Sequence, residues 1–167
     1  NNPGIEPSVG VFIDGVYRSR SAGAIGDLID VSRVEVLRGP QSTLFGQNAS
    51  AGVISVVTQK PQFEWSGLVE GTLGNYNQQI LKSKVTGPIS DTVAFSLTST
   101  LNKRDGYFRE LVTNTYINDR DRSDVRGQLL WKASDALEVR LIADLSNIDE
   151  LCCGVSNLFN GPTGAVI

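Results

Sequence analysis

Apolar and polar positions along this chain fall into two textures that meet near Lys60-Pro61. Before that point the pattern changes every few residues. Val9, Val11 and Ile13 share one parity, then Asp14-Gly15 gives a turn signal before Val16-Tyr17, so Val9–Arg18 predicts a strand, a tight turn and a second strand. Ala22–Asp30 carries Ile25, Leu28 and Ile29 at helical spacing, enough for a helix of about two turns. Val34 and Val36 alternate with Arg33 and Glu35 up to Arg38-Gly39-Pro40, a break that neither a helix nor a central strand tolerates. A turn-rich run from Gln41 to Ser50 follows, and Gly52 opens the β-branched run Val53-Ile54-Ser55-Val56-Val57-Thr58, which reads as a buried strand. The first sixty residues therefore predict a small mixed α/β unit. The strands near Arg33–Leu37 and Gly52–Thr58 are expected in one sheet.

Beyond Lys60-Pro61 the period is two almost throughout. Five strands are expected, over about Glu64–Gly74, Gln78–Gly87, Thr92–Arg104, Arg122–Ala133 and Ala136–Ser146. Phe95, Leu97, Leu101, Leu129, Trp131, Val139 and Leu141 fall on one parity. Ser96, Thr98, Arg126, Gln128 and Arg140 fall on the other. Gly74–Asn77, Gly87–Asp91 and Ser134-Asp135 are turns, Asp105–Asp121 is a longer polar loop, and the tail from Asn147 is loop. Strands of about ten residues with alternating faces match a tilted membrane-crossing strand. A half-buried soluble sheet shows the same period.

Composition narrows this only slightly. The 167 residues are 40% hydrophobic and 20% charged, with 17 glycines. No apolar run approaches the ~18 residues of a membrane helix, but strands escape that test, and a mean hydropathy of -0.08 suits them. A net charge of -3 gives no support for a nucleic-acid partner. The absence of histidine removes any histidine-based catalytic triad or zinc site from this stretch. Gly39–Gly46 lacks the spacing and the Lys-Ser/Thr of a phosphate loop. Asp119, Asp121 and Asp124 crowd one segment without the glycine and glutamate of a calcium loop, so they read as solvated charge.

The run SRVEVLRGPQSTLFGQNASAGVISVVTQKP resembles the end of the plug domain of TonB-dependent outer-membrane receptors. Glu35, Val36, Leu37, Arg38, Gly39, Pro40, Leu44, Phe45, Gly46, Gly52, Val53, Ile54 and Thr58 sit where that family places them. Ala51 and Ser55 depart from the usual Gly and Asn. VGVFIDGVYRSR resembles the plug strand that precedes this motif. The resemblance implies residues 1–61 as the C-terminal part of a plug and residues 62–167 as the first strands of a transmembrane β-barrel. Five strands leave that barrel incomplete, because a lumen holding a plug needs roughly 22. The chain is accordingly expected to be an internal piece of a longer protein.

The function implied is uptake of a scarce ligand (a ferric siderophore, cobalamin, haem or glycan) across the bacterial outer membrane, with the TonB complex of the inner membrane as partner. Neither catalysis nor a cofactor is implied. The other reading kept open is a non-transporting β-rich surface or adhesion protein. By the resemblance, Arg38 matches a plug arginine that pairs with glutamates of the inner barrel wall, so Arg38, with Glu35 beside it, is a candidate for locking plug to barrel. Cys152 and Cys153 are adjacent. On an exterior loop they are expected oxidised, either with each other through a strained ring, since their Cα atoms are ~3.8 Å apart, or with other partners.

Overall fold

The computed structural model describes residues 8–18, 30–46, 49–110 and 114–151. Two sheets make up most of it. The first contains β1 (Val9–Ile13), β2 (Val16–Tyr17), β3 (Val31–Arg38) and β4 (Gly52–Thr58), in the order β2-β1-β4-β3. β1 and β4 run parallel, Val9 opposite Gly52 through Ile13 opposite Val56, while β2 and β3 flank them antiparallel. The two central strands are the most apolar, and they are buried where β3 at the edge is exposed. Phe12, Ala49 and Val53 form the centre of the core, with Tyr17, Leu37 and Phe45 packed around them. A one-turn helix, α1 (Ser42–Phe45), places the Phe45 ring 4.9 Å from that of Phe12. The helix expected over Ala22–Asp30 lies outside the described residues, apart from Asp30 itself.

Two glycines explain how β3 returns into β4. Gly39 sits at φ 83, where a side chain would be strained. At Gly52 a Cβ would stand 2.6 Å from the Leu37 carbonyl oxygen, so only glycine lets the two strands close.

The second sheet is antiparallel and has five long strands: β5 (Ser66–Gly74), β6 (Gln78–Pro88), β7 (Val93–Arg104), β10 (Arg120–Ser134) and β11 (Leu137–Ile148). Their order is β11-β10-β7-β6-β5, each strand beside its predecessor, and β11 does not return to β5. Between β7 and β10 the segment expected to be loop contains a small hairpin, β8 (Phe108–Arg109) paired with β9 (Tyr116–Ile117). β10 also begins two residues earlier than the alternation suggests. Asp121 therefore belongs to a strand and not to the loop expected over Asp105–Asp121. The alternation there is masked because charged residues occupy both faces.

The register sorts the side chains as the pattern predicts. Leu81, Leu97, Leu101, Val125, Trp131 and Leu141 lie on one face and are exposed. The charges on that face across the paired positions are Lys103 and Asp121, opposite each other at one end. The other face carries the remaining charged strand residues, and it turns towards the first sheet: Ser96, Thr98, Thr100, Arg126 and Gln128 are all buried there. At the end with the short β6–β7 and β10–β11 turns, Trp65 meets Phe95 edge-on at 5.7 Å and lies over Gly87. An apolar belt with aromatics at its margin suits lipid, and charge on such a face costs ~2–4 kcal/mol at mid-bilayer.

Candidate functional site

The parallel pairing of β1 and β4 brings their C-terminal ends together, so Asp14 and Thr58, far apart in sequence, become neighbours. Asp14 begins the tight turn into β2 at φ 49, and its N–H donates to the Val56 carbonyl at 2.9 Å. Its carboxylate accepts the Thr58 N–H and the Thr58 hydroxyl, each at 2.9 Å. Both oxygens therefore have donors within the first sheet before any other element approaches.

The long sheet adds two guanidinium groups. Arg126 on β10 pairs with Asp14, and Arg140 on β11 stands 3.5 Å from it. Asp14 and Arg126 are more than nine-tenths buried. Arg126 also donates to Asp144 at 3.0 Å, its cross-strand neighbour on β11. Asp144 in turn accepts Arg18, just past β2, at 2.6 Å. Arg140 donates to Thr58 Oγ1 at 2.7 Å and to Gln128 Oε1 at 2.6 Å. The Gln128 amide then donates to the buried Asp30 at 2.8 Å. The contacts alternate between the two sheets, so neither retains all its partners without the other. Around this centre Lys60 pairs with Glu138, Lys84 donates to Gln59 at 2.6 Å, and the Gln62 N–H donates to Thr86 at 2.9 Å.

At the opposite end of the long sheet, Glu150 is held by Arg122, with Arg120 at 3.8 Å. The hydrogen bonds from the Arg122 guanidinium hold the Glu150 carboxyl below the usual glutamate value near 4.5, against the opposing effect of burial. Beside them lies an open cavity of about 570 Å³ bordered by Tyr76, Arg104, Asp105, Tyr116 and Arg120.

The family model for the TonB-dependent Receptor Plug Domain matches residues 3–53, which hold β1, β2, β3 and the Gly39 and Gly52 corner. The chain belongs to the TonB-dependent receptor family. The pesticin receptor of Yersinia pestis is 37% identical over 99 residues, covering 59% of this chain and 15% of the receptor. The ferrioxamine receptor of Yersinia enterocolitica is 31% identical over 139 residues, covering 80% of this chain and 18% of that protein. Among solved structures, the ferric yersiniabactin uptake receptor of Yersinia pestis superposes with a TM-score of 0.75 at 32% identity, over 84% of this chain and 23% of that one. The chain thus spans less than a quarter of these relatives' length. As a TonB-dependent receptor, the protein sits in the bacterial outer membrane, where its apolar strand face meets lipid. These relatives are transport receptors, not enzymes.

Within this receptor the two candidate locking residues stay apart from the long sheet. Glu35 pairs with Arg33 at 2.6 Å on the exposed face of β3. The Arg38 carbonyl accepts the Gln41 amide at 3.5 Å, and its guanidinium makes no ion pair among the described residues. Cys152 and Cys153 lie outside the described residues. Sequence reasoning placed Arg126, Gln128 and Arg140 on the inner face but missed Asp14 as their partner, because Asp14-Gly15 reads as turn chemistry alone. Cations here come from both sides: the wall supplies Arg126 and Arg140 to Asp14 of the plug, while Arg18 and Lys60 of the plug pair with Asp144 and Glu138 of the wall.

Proposed function

We propose that this chain is the end of the plug, residues 1–61, and the first barrel strands, residues 62–167, of an active transporter that takes up a ferric chelate across the outer membrane. The buried contact of Asp14 with Arg126 and Arg140 carries the reading, since it seats a small sheet against the inner face of a membrane wall. The uptake receptors among its relatives support the ligand class. In this reading the seated plug closes the lumen, and the TonB complex of the inner membrane, driven by the proton gradient, opens a path past it. No covalent bond is made or broken. Arg38 and Glu35, exposed on β3, lock the plug to wall strands that follow Ile148 in the full barrel.

The test is uptake of radiolabelled iron by cells under iron limitation, with the gene deleted, restored, or restored with Asp14→Ala. Ferrioxamine B and the ferric complex of a tris-catechol chelator serve as probes. Restored uptake of at least one probe, abolished when the proton gradient is dissipated, is expected. Uptake of both probes that is unchanged by deletion overturns the proposal.

A further inference from the structure

The first sheet is tied to the wall unevenly. The stretch that leaves β4 is fastened to all four of the strands β6, β7, β10 and β11. Lys84 of β6 donates to Gln59 Oε1 at 2.6 Å, and Arg140 of β11 donates to the Gln59 carbonyl at 3.4 Å. Lys60 pairs with Glu138. The Gln62 N–H donates to the Thr86 hydroxyl, which itself donates to the Phe95 carbonyl of β7 at 2.7 Å. Lys132 of β10 lies 4.5 Å above the Phe63 ring. By contrast, β3 makes no hydrogen bond or ion pair with the long sheet among the described residues. A pull that moves the first sheet against the wall therefore has its fixed end at Gln59. Its other end is the chain ahead of Val9, since β4 continues directly into the wall.

Strand register sets how such a pull is resisted. β1 and β4 are parallel, with Val9 opposite Gly52 and Ile13 opposite Val56. The pulled end of β1 thus lies at one end of the pair and the fixed end of β4 at the other. Ladder hydrogen bonds run across the strands, so a pull along them loads every pair together, whereas strands parted from a shared end give way one pair at a time. Asp14, at the trailing end of β1, adds its grip on Thr58 and Arg126 to the same load. β3 is placed the other way. It starts at Val31, opposite Thr58, beside the fixed end. Tension that reaches Val31 once β1 has left parts β3 from β4 at that end, pair by pair.

We infer that β1, β4 and Asp14 form a shear clamp that holds against tension up to a threshold, and that its failure releases β1 to β3 in one event while β4 stays on the wall. Val9 and Gly52 are neighbours while the strands are paired, and the chain between them reaches about 150 Å when drawn out. The inference rests on the uptake reading above for the source of the pull. It adds that the plug opens by a threshold step and not by gradual yielding, and that the strand nearest the wall does not leave.

The test pulls the full-length receptor, held in a supported bilayer, by a handle at its N-terminus at constant force and records the steps in length. Wild type should show one step of about 150 Å. An insertion of about ten polar residues after Gly46 should lengthen that step alone, by roughly 35 Å, which assigns it to this unit. Asp14→Asn should shorten the waiting time before the step by about tenfold or more, the kinetic equivalent of one lost charge-assisted hydrogen bond. Arg33→Gln, on β3, should leave the waiting time unchanged. A pause near roughly 75 Å, where β1 has left and β3 still holds, overturns the clamp. So does a waiting time in Asp14→Asn equal to that of wild type. Either result leaves the uptake reading standing, whereas cellular uptake of both probes unaffected by deletion defeats that reading itself.

Discussion

Removing the Asp14 carboxylate should unseat the plug more than any other single change in the described residues. Asp14→Ala strips four donors at once: the Thr58 N–H and hydroxyl, Arg126 and Arg140. Breaking a buried ion pair from one side costs ~3–5 kcal/mol. The arginines are not fully orphaned, since Arg126 keeps Asp144 and Arg140 keeps Gln128 and Thr58. That places the ion-pair loss at the low end. A further ~1 kcal/mol or more comes from the buried Thr58 N–H left without an acceptor. A net cost of about 4 kcal/mol shifts the seated-to-unseated ratio by roughly three orders of magnitude. Hydrogen exchange on the full receptor in outer-membrane vesicles reads this directly, as faster exchange of the β1 and β4 amides, with β7 and β10 unaffected. Arg33→Gln, which breaks an exposed pair worth ~0–1 kcal/mol, is the control and should exchange like wild type. If the β1 and β4 amides of Asp14→Ala exchange within about twofold of wild type, the contact does not seat the plug and the argument from burial fails.

Four further outcomes follow from other parts of the structure. Gly52→Ala should destabilise the plug sheet, because the added Cβ meets the Leu37 carbonyl oxygen at 2.6 Å; unchanged β3 and β4 exchange would contradict that. Leu141→Arg, at an exposed position on the lipid face, should lower barrel stability by ~2–4 kcal/mol in a denaturant titration, whereas a polar change at Thr72 on the inner parity should not. The depressed Glu150 carboxyl contributes stability that is complete above its unfolded value near 4.5 and disappears as pH falls through the lower folded value, so Glu150→Gln should flatten the acid limb of the unfolding curve in that window. Mass spectrometry with and without reductant should show Cys152 and Cys153 oxidised in native membranes, and two freely alkylated thiols would refute it.

The strand framework was legible because the period-two pattern is strong where one face meets lipid and the other a polar interior. Phe95, Leu97, Leu101 and Trp131 mark the outer side without ambiguity. The pattern weakened at Arg120 and Asp121, where the strand rises past the lipid and both faces carry charge, and there the start of β10 was misplaced. The β8–β9 hairpin was invisible for a related reason: two residue pairs have no period to detect. The site was harder than the fold. A residue's face follows from local sequence, but its partner depends on which strands lie parallel. The pairing of β1 with β4 is a long-range fact that places Asp14 beside Thr58 and in front of Arg126.

The contact between plug and wall joins Arg18, Arg126 and Arg140 to Asp14, Asp30 and Asp144, three cations against three anions. Such a cluster has almost no field beyond its own dimensions, and its central pair is shielded from counterions by burial. Seating by this patch should therefore depend little on ionic strength, in contrast to an interface in which one surface is uniformly basic and the other acidic. An outer membrane meets whatever salinity the surroundings impose. A neutral, buried latch should hold the first sheet against the long one in fresh water and in brine alike.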